Sequence, residues 1–194
     1  GNRLTSEELA SVKTRLQQTA DYTGLNVGII MGTQSRSDYT IESAVKTTYT
    51  DTFGNDSDGV LYYMDLKGYE PYDYIATRGL GMFYVTNDST YNRLESIYSA
   101  LDKYLYPVGS EDVYGACIAY CEQVEKCYDA GIPNHFYVYD DEYKEYYHME
   151  NGQVVTTKNK PYYNWFTVIA LMLFMGFIGF IAALITFFAV KSRY

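Results

Sequence analysis

The apolar positions of this chain follow two periods that take turns. Leu9, Val12, Leu16 and Ala20 recur every three or four residues, the spacing of one helix face. Thr5 and Glu8 fit a capping box ahead of them, and Gly24 supplies a stop. "LNVGIIM" (Leu25–Met31) is a continuous apolar run and reads as a buried strand. "QSRSD" reads as a loop with cap candidates Ser37 and Asp38. Ile41, Ala44, Val45 and Thr48 then continue as a helix that ends near Gly54. "GVLYYMDL" (Gly59–Leu66) and the alternating "YDYIATR" (Tyr72–Arg78) are two strands. The short "KGYEP" turn between them predicts an antiparallel hairpin.

Helical spacing returns from about Thr90, where Leu94, Ile97, Tyr98, Leu101 and Leu105 share a face until Pro107 and Gly109 break it. A further helix is predicted from Glu111 to about Asp129. The order α-β-α-β-β-α-α predicts an α/β fold, a three-layer α/β/α sandwich around a small mixed sheet. From Pro133 to Lys160 the chain is charged and rich in tyrosine, and "ENGQ" carries an Asn-Gly hairpin signal. This stretch reads as a short ribbon or stalk. The domain organisation is therefore residues 1–131 as the α/β domain, 132–161 as the ribbon, and 162–194 as a membrane segment with a short basic tail.

The last segment is a different material. "WFTVIALMLFMGFIGFIAALITFFAV" (Trp165–Val190) holds no charge. At ~1.5 Å per residue such a helix reaches ~39 Å, beyond the ~30 Å hydrocarbon core, so it is expected to span with some tilt. Tyr162, Tyr163 and Trp165 stand where an aromatic belt belongs, and "KSRY" closes the far end. Gly179 and Ala183 form a small-xxx-small pair that suits helix–helix approach. "GNRLTSEE" has no signal-peptide character. Either a signal has been removed, or the tail alone anchors the chain. Flanking lysines and arginines are balanced across the span and do not set its direction.

Charge narrows the partners. All 24 acidic residues precede Trp165, against 13 of the 15 basic ones. Phosphate backbones would be repelled, so nucleic acid is excluded as a partner, and cations or basic surfaces are favoured. The 24 tyrosines suit half-exposed strands and contact surfaces.

Most chemical readings fail on spacing. Cys117, Cys121 and Cys127 fall on the helix stripe of Val113, Tyr120 and Val124, which makes them small core hydrophobes. "RGLGMF" lacks the third glycine of a dinucleotide fingerprint, because position 84 is Tyr; Gly79 and Gly81 instead suit a tight turn at a strand end. No G-x-S-x-G or H-E-x-x-H motif occurs, and both histidines, His135 and His148, lie in the ribbon region. Asp56-x-Asp58 precedes its strand, whereas a phosphatase of the D-x-D type presents its aspartates after one. Read as a calcium loop, "GNDSDGVLYYMD" opens on Gly54, which cannot ligate through a side chain. Strand signals also follow where the second helix should stand. Taken alone, the stretch is a polar turn into a strand.

Taken together, the motifs resemble the TPM-domain family. The resemblance rests on "FGNDSDGVLYYMDL", then "YIATRGLGMFYVTND" before a helix, then "YPVGSEDVYGACIAY", in that order over roughly Leu4 to Ala130. It implies the α/β/α sandwich and a site built from Asp58 at the D-x-G step, Asp88 at an acidic helix cap and Asp112 at a G-D-Y-like step. The loops would converge at one end of the sheet and hold a divalent cation, Ca²⁺ for preference. This sequence departs from the pattern with "EDVY" at the last step, where Glu111 neighbours Asp112, and with Asn87 beside Asp88. Asp88 and Asp112 also suit plain helix capping. The resemblance implies a membrane-anchored domain on the outer face of a cell membrane, an interaction or maintenance module with a protein partner. Its alternatives are a metal-assisted acid phosphatase, for which Arg78 is the best placed basic residue, and a scaffold that binds no metal.

Overall fold

A computed structural model describes residues 4–32, 38–65, 72–88, 90–106, 109–141, 143–162 and 165–191. Helix α1 (Ser6–Thr23) opens with the reciprocal Thr5–Glu8 capping box and closes at Gly24 in the left-handed region. Strand β1 (Asn26–Gly32), helix α2 (Asp38–Phe53) and strand β2 (Gly59–Asp65) form a β-α-β unit, with β1 and β2 parallel from Asn26↔Gly59 to Gly32↔Asp65. Strand β3 (Tyr72–Arg78) pairs antiparallel with β2, from Gly59↔Arg78 to Asp65↔Tyr72. Among the described residues β2 is thus the middle strand of three.

Both faces of β2 are covered, and the alternation of its side chains decides by what. Val60, Tyr62 and Met64 enter a large cluster with Val12 of α1 and with two later helices, α4 (Arg93–Leu105) and α5 (Val113–Asp129). Leu61 and Tyr63 point the other way, into a smaller cluster with Ile41, Val45 and Tyr49 of α2 and with Ala76. All seven residues of β2 are buried, which explains why it reads as a nearly unbroken apolar run. Arg15 of α1 ties the helical layer by a bidentate pair with Glu125 of α5, at 2.5 and 2.7 Å.

A short helix, α3 (Gly81–Tyr84), follows β3 and was not legible in the sequence. Its glycine is needed because a Cβ at Gly81 would run into the carbonyl of Gly59. Helix α4 begins at Arg93, capped by Asn92. The turn "KGYEP", Ser37, Pro107, Tyr163 and the closing "SRY" lie outside the described residues.

The tyrosine-rich stretch forms a meander of β4 (Tyr137–Asp140), β5 (Glu145–Glu150) and β6 (Gln153–Thr157), paired antiparallel in that order. Asn151 and Gly152 both take positive φ, 51° and 79°, between Glu150 and Gln153, as an Asn-Gly hairpin turn requires. The meander leads to Tyr162, whose ring lies 5.1 Å from His135 and 5.9 Å from His148 and whose hydroxyl donates to the Met149 carbonyl. Helix α6 (Trp165–Lys191) follows. Within it, Val168–Phe188 is long and apolar enough to cross a membrane by length and composition.

The joint between helix and sheet can be tested at Tyr120. Its fully buried hydroxyl donates to the Val60 carbonyl at 3.0 Å, and its ring stacks on Tyr62 at 5.2 Å. Tyr120→Phe keeps the ring and deletes the bond. It should lower unfolding free energy by about 1 kcal/mol with an unchanged denaturant slope, read from the urea midpoint.

Candidate functional site

Asp58 is built into the sheet from three sides. Its carbonyl accepts from the main-chain N–H of Asn26 at 2.9 Å and from the Asn26 amide at 3.1 Å. Its carboxylate accepts from the N–H of Leu80 at 2.7 Å. The close approach requires Gly79, which has φ 53° and leaves no room for a Cβ beside the carboxylate. One aspartate therefore clasps the start of β1, the start of β2 and the turn after β3.

Asp112 caps a helix, whereas Asp88 closes only the turn before α4, whose cap is Asn92 rather than the expected Asp88. Asp88 Oδ1 accepts from the N–H groups of Thr90 and Tyr91, both at 2.7 Å. Asp112 caps α5, accepting from the N–H of Gly115 at 2.8 Å. Helix α5 shows how far apart they stand. Two residues before Asp88, the Thr86 carbonyl accepts from the N–H groups of Arg93 and Leu94. The Arg93 guanidinium in turn donates to the carbonyls of Cys127 and Gly131 at the end of α5. Asp112 stands at the beginning of that 17-residue helix, about 25 Å away at ~1.5 Å per residue. Asp58 belongs to the end where Asp88 lies: its carboxylate takes the N–H of Leu80, four residues before Tyr84, whose carbonyl accepts from Arg93 and whose ring packs 5.0 Å from Tyr128. The fold thus brings Asp58 and Asp88 to one end and leaves Asp112 at the other. Among the described residues, no group of three or more His, Cys, Asp or Glu side chains is placed to hold a metal ion. The three aspartates do not fit a single shared ion.

The cysteines are buried and unpaired, packed in the large cluster. Burial pushes the Cys117 thiol up to about 12, and raises Cys121 and Cys127 for the same reason, so all three stay protonated and inert.

A recess lies elsewhere, between β3 and β4, with a volume of about 660 Å³. Residues 74–78 and residues 136–141 line it in unbroken runs. A recess against a sheet face would be lined by alternate residues; an unbroken run means that strand edges face it. Lys46 and Tyr49 of α2 close one side, while Met82, Val85, Leu94 and Tyr98 close the other. Desolvation, with Glu42 and Tyr72 nearby, pushes the Tyr74 hydroxyl up to about 12, so this wall is a neutral phenol. Arg78, the best placed basic residue for the phosphatase alternative, lines the recess with Lys46. Sequence reasoning missed the recess because β3 and β4 are separated by three helices, α3, α4 and α5. The tyrosine load of the ribbon was its only trace.

No family model matches the chain, and no curated protein matches it. Among solved structures, the fold is similar to the NMR structure of the BA42 protein from the psychrophilic bacterium Bizionia argentinensis. The TM-score is 0.51 at 13% identity, covering 68% of this chain and 86% of that one. The likeness is one of fold.

Two substitutions test the roles assigned to the aspartates. Asp58→Ala removes the acceptor of the Leu80 N–H and should lower stability by about 1.5–3 kcal/mol. Asp58→Asn keeps an oxygen in place and should cost clearly less. Thermal unfolding followed by near-ultraviolet circular dichroism separates the two.

Asp73, on β3, yields a pH test. Burial raises its carboxyl to about 6, partly countered by the Tyr62 hydroxyl, which donates to it at 3.1 Å. The folded value exceeds the unfolded one of about 3.9, so the folded chain holds the proton more tightly. This contribution to stability is complete below pH ~4 and is lost as pH rises through ~6. Asp73→Asn should therefore raise the melting temperature at pH 7 and flatten its dependence between pH 4 and 6.

Proposed function

We propose that this chain is a single-pass, membrane-anchored TPM-like domain that displays an interaction surface outside the cytoplasm. In this reading α1, α4 and α5 form one layer, the β1–β3 sheet the second and α2 the third, as a three-layer α/β/α sandwich. The observation that carries the reading is the run from meander to α6. Tyr162 is held by two histidine rings, and three residues later an uninterrupted apolar helix begins with outward side chains such as Leu173, Met175 and Phe177. A domain held this closely to a span works at the membrane surface. The order of the family-like motifs supports the same reading, and the likeness to the bacterial BA42 protein supports its α/β architecture alone.

An interaction role suits the chemistry of the recess better than phosphate hydrolysis. Its walls are mostly strand edges, phenols kept neutral and apolar side chains, which are contact groups, with Lys46, Arg78, Asp140 and Asp141 as its charged members. A divalent cation implied by the family resemblance would have to be served by Asp58 and Asp88 without Asp112, which acts as a helix cap.

The full chain should resist extraction by alkaline carbonate, and protease added to intact cells should degrade the domain. A domain protected until the membrane is permeabilised would place it on the cytoplasmic side. Purified chain in detergent should hydrolyse p-nitrophenyl phosphate no faster than buffer, with or without Ca²⁺ or Mg²⁺. Metal-dependent turnover lost in Asp58→Asn would replace the interaction reading with the phosphatase.

A further inference from the structure

We propose that the recess between β3 and β4 takes an extended peptide of alternating apolar and acidic residues, which joins the sheet as a further strand beside β3. The proposal rests on the domain being an interaction module, and gives that module its ligand class.

The main chain supplies the first part. The Ile75 N–H donates to the Tyr98 hydroxyl at 3.0 Å and therefore points away from β2. In an antiparallel pair this direction repeats every second residue, so Asp73 and Thr77 also turn their main-chain groups outward. Among the described residues β3 pairs only with β2, and β4 only with β5. Two strand edges thus border one recess of about 660 Å³, within the usual range of ~300–1,000 Å³ for ligand sites. A Tyr98 hydroxyl holding a single N–H is a stand-in that an incoming strand would replace. Strand addition of this kind draws affinity from main-chain bonds and specificity from the alternating side chains.

The two sides of the recess supply the sequence preference. Ile75 faces the large cluster, and on that side the recess is closed by Val85, Leu94 and Tyr98. Tyr74 and Ala76 face the α2 side, where the recess carries Lys46 and Arg78. A strand continuing the sheet would send alternate side chains to these two sides. One set would meet apolar surface and the other two cations. Neither Lys46 nor Arg78 makes an ion pair among the described residues, and Glu42, one turn before Lys46, does not close on it. The acids on the β4 border are engaged: Asp140 accepts from the Tyr143 N–H at 3.1 Å, and Asp141 pairs with Lys144 at 3.4 Å. In a chain of net charge −9, two uncommitted cations in the recess select an acidic partner.

The test uses the purified full chain in detergent micelles and a fluorescein-labelled peptide of alternating valine and glutamate. The peptide has about six residues, an ordinary strand length. Fluorescence anisotropy should show saturable binding. Methylating alternate backbone nitrogens, or exchanging glutamate for lysine, should weaken it about tenfold or more. Thr77→Pro removes an outward N–H at an edge position that tolerates proline, and should weaken binding to a similar extent with the fold intact. Tyr98→Phe frees the Ile75 N–H and should tighten binding. Lys46→Glu combined with Arg78→Glu should invert the preference toward the valine–lysine peptide. The proposal is overturned if the valine–glutamate peptide fails to bind at millimolar concentration, if the methylated or lysine peptides bind equally well, or if the chain self-associates through an edge that Thr77→Pro disrupts. None of these outcomes bears on topology or on phosphate hydrolysis, so this proposal can fail while the anchored-module reading stands.

Discussion

The fold depends on one strand having two insides. β2 is buried along its whole length, so each of its side chains must be matched on one face or the other. Its parallel neighbour β1 obliges the intervening chain to cross over the sheet, and α2 does so, covering Leu61 and Tyr63. The opposite face, with Val60, Tyr62 and Met64, demands the larger cover formed by α1, α4 and α5. Polar groups carried into this interior are matched there. The Tyr62 hydroxyl finds Asp73, the Tyr63 hydroxyl finds Asp65, and the Tyr120 hydroxyl finds the Val60 carbonyl. Tyrosine serves in this core because each ring fills volume while its hydroxyl reaches a partner.

The same constraint explains the glycines around Asp58. A strand clasped at its start by one aspartate needs its neighbours to approach at backbone distance. Gly59 lies under Asn26, Gly79 under the Asp58 carboxylate and Gly81 under the Gly59 carbonyl. Motifs that look like ligand loops in the sequence are, in these contacts, the packing of three chain segments at van der Waals distance. The Asp58 carboxylate is held by one main-chain donor, the Leu80 N–H, and its charge is partly met by that dipole.

What could be read from the sequence divides along physical lines. Periodicity located the helices and strands of the domain because their buried faces are long and regular: Leu94, Ile97, Leu101 and Leu105 of α4, or Val113, Cys117, Tyr120 and Val124 of α5. The Asn-Gly hairpin was legible because positive φ at two successive residues leaves a clear chemical mark. Helix α3 was not, since four residues are too few to show a period and its place is set by Gly81 against β2. The candidate site was legible only as separate acids. Asp58, Asp88 and Asp112 each carry a local signature, but their mutual distance is fixed by the length and direction of α5, a property of packing. The recess is still less legible, because it unites strands 60 residues apart in the chain, Thr77 and Tyr137, through no local pattern.

Open strand edges are a hazard to any soluble domain, since they pair with whatever strand arrives. β3 carries three devices that restrict this freedom. Tyr98 occupies the N–H of Ile75, Arg78 places a charge at the end of the edge, and α3 stands beside that end with Met82 turned into the recess. A completely blocked edge would be simpler to build, with a proline or an inward lysine at Thr77. The chain instead has threonine there, a residue suited to strands, and leaves the adjoining space unfilled. Guarding an edge with one replaceable hydroxyl and two uncommitted cations lowers the chance of indiscriminate pairing without removing the capacity to pair. In the membrane-anchored reading proposed above, the compromise has a further basis. Anchoring confines copies to a plane and raises their local concentration, which makes self-pairing more frequent unless like charges oppose it. Two positive charges beside the edge on every copy supply that opposition, while leaving the edge open to a strand of opposite charge.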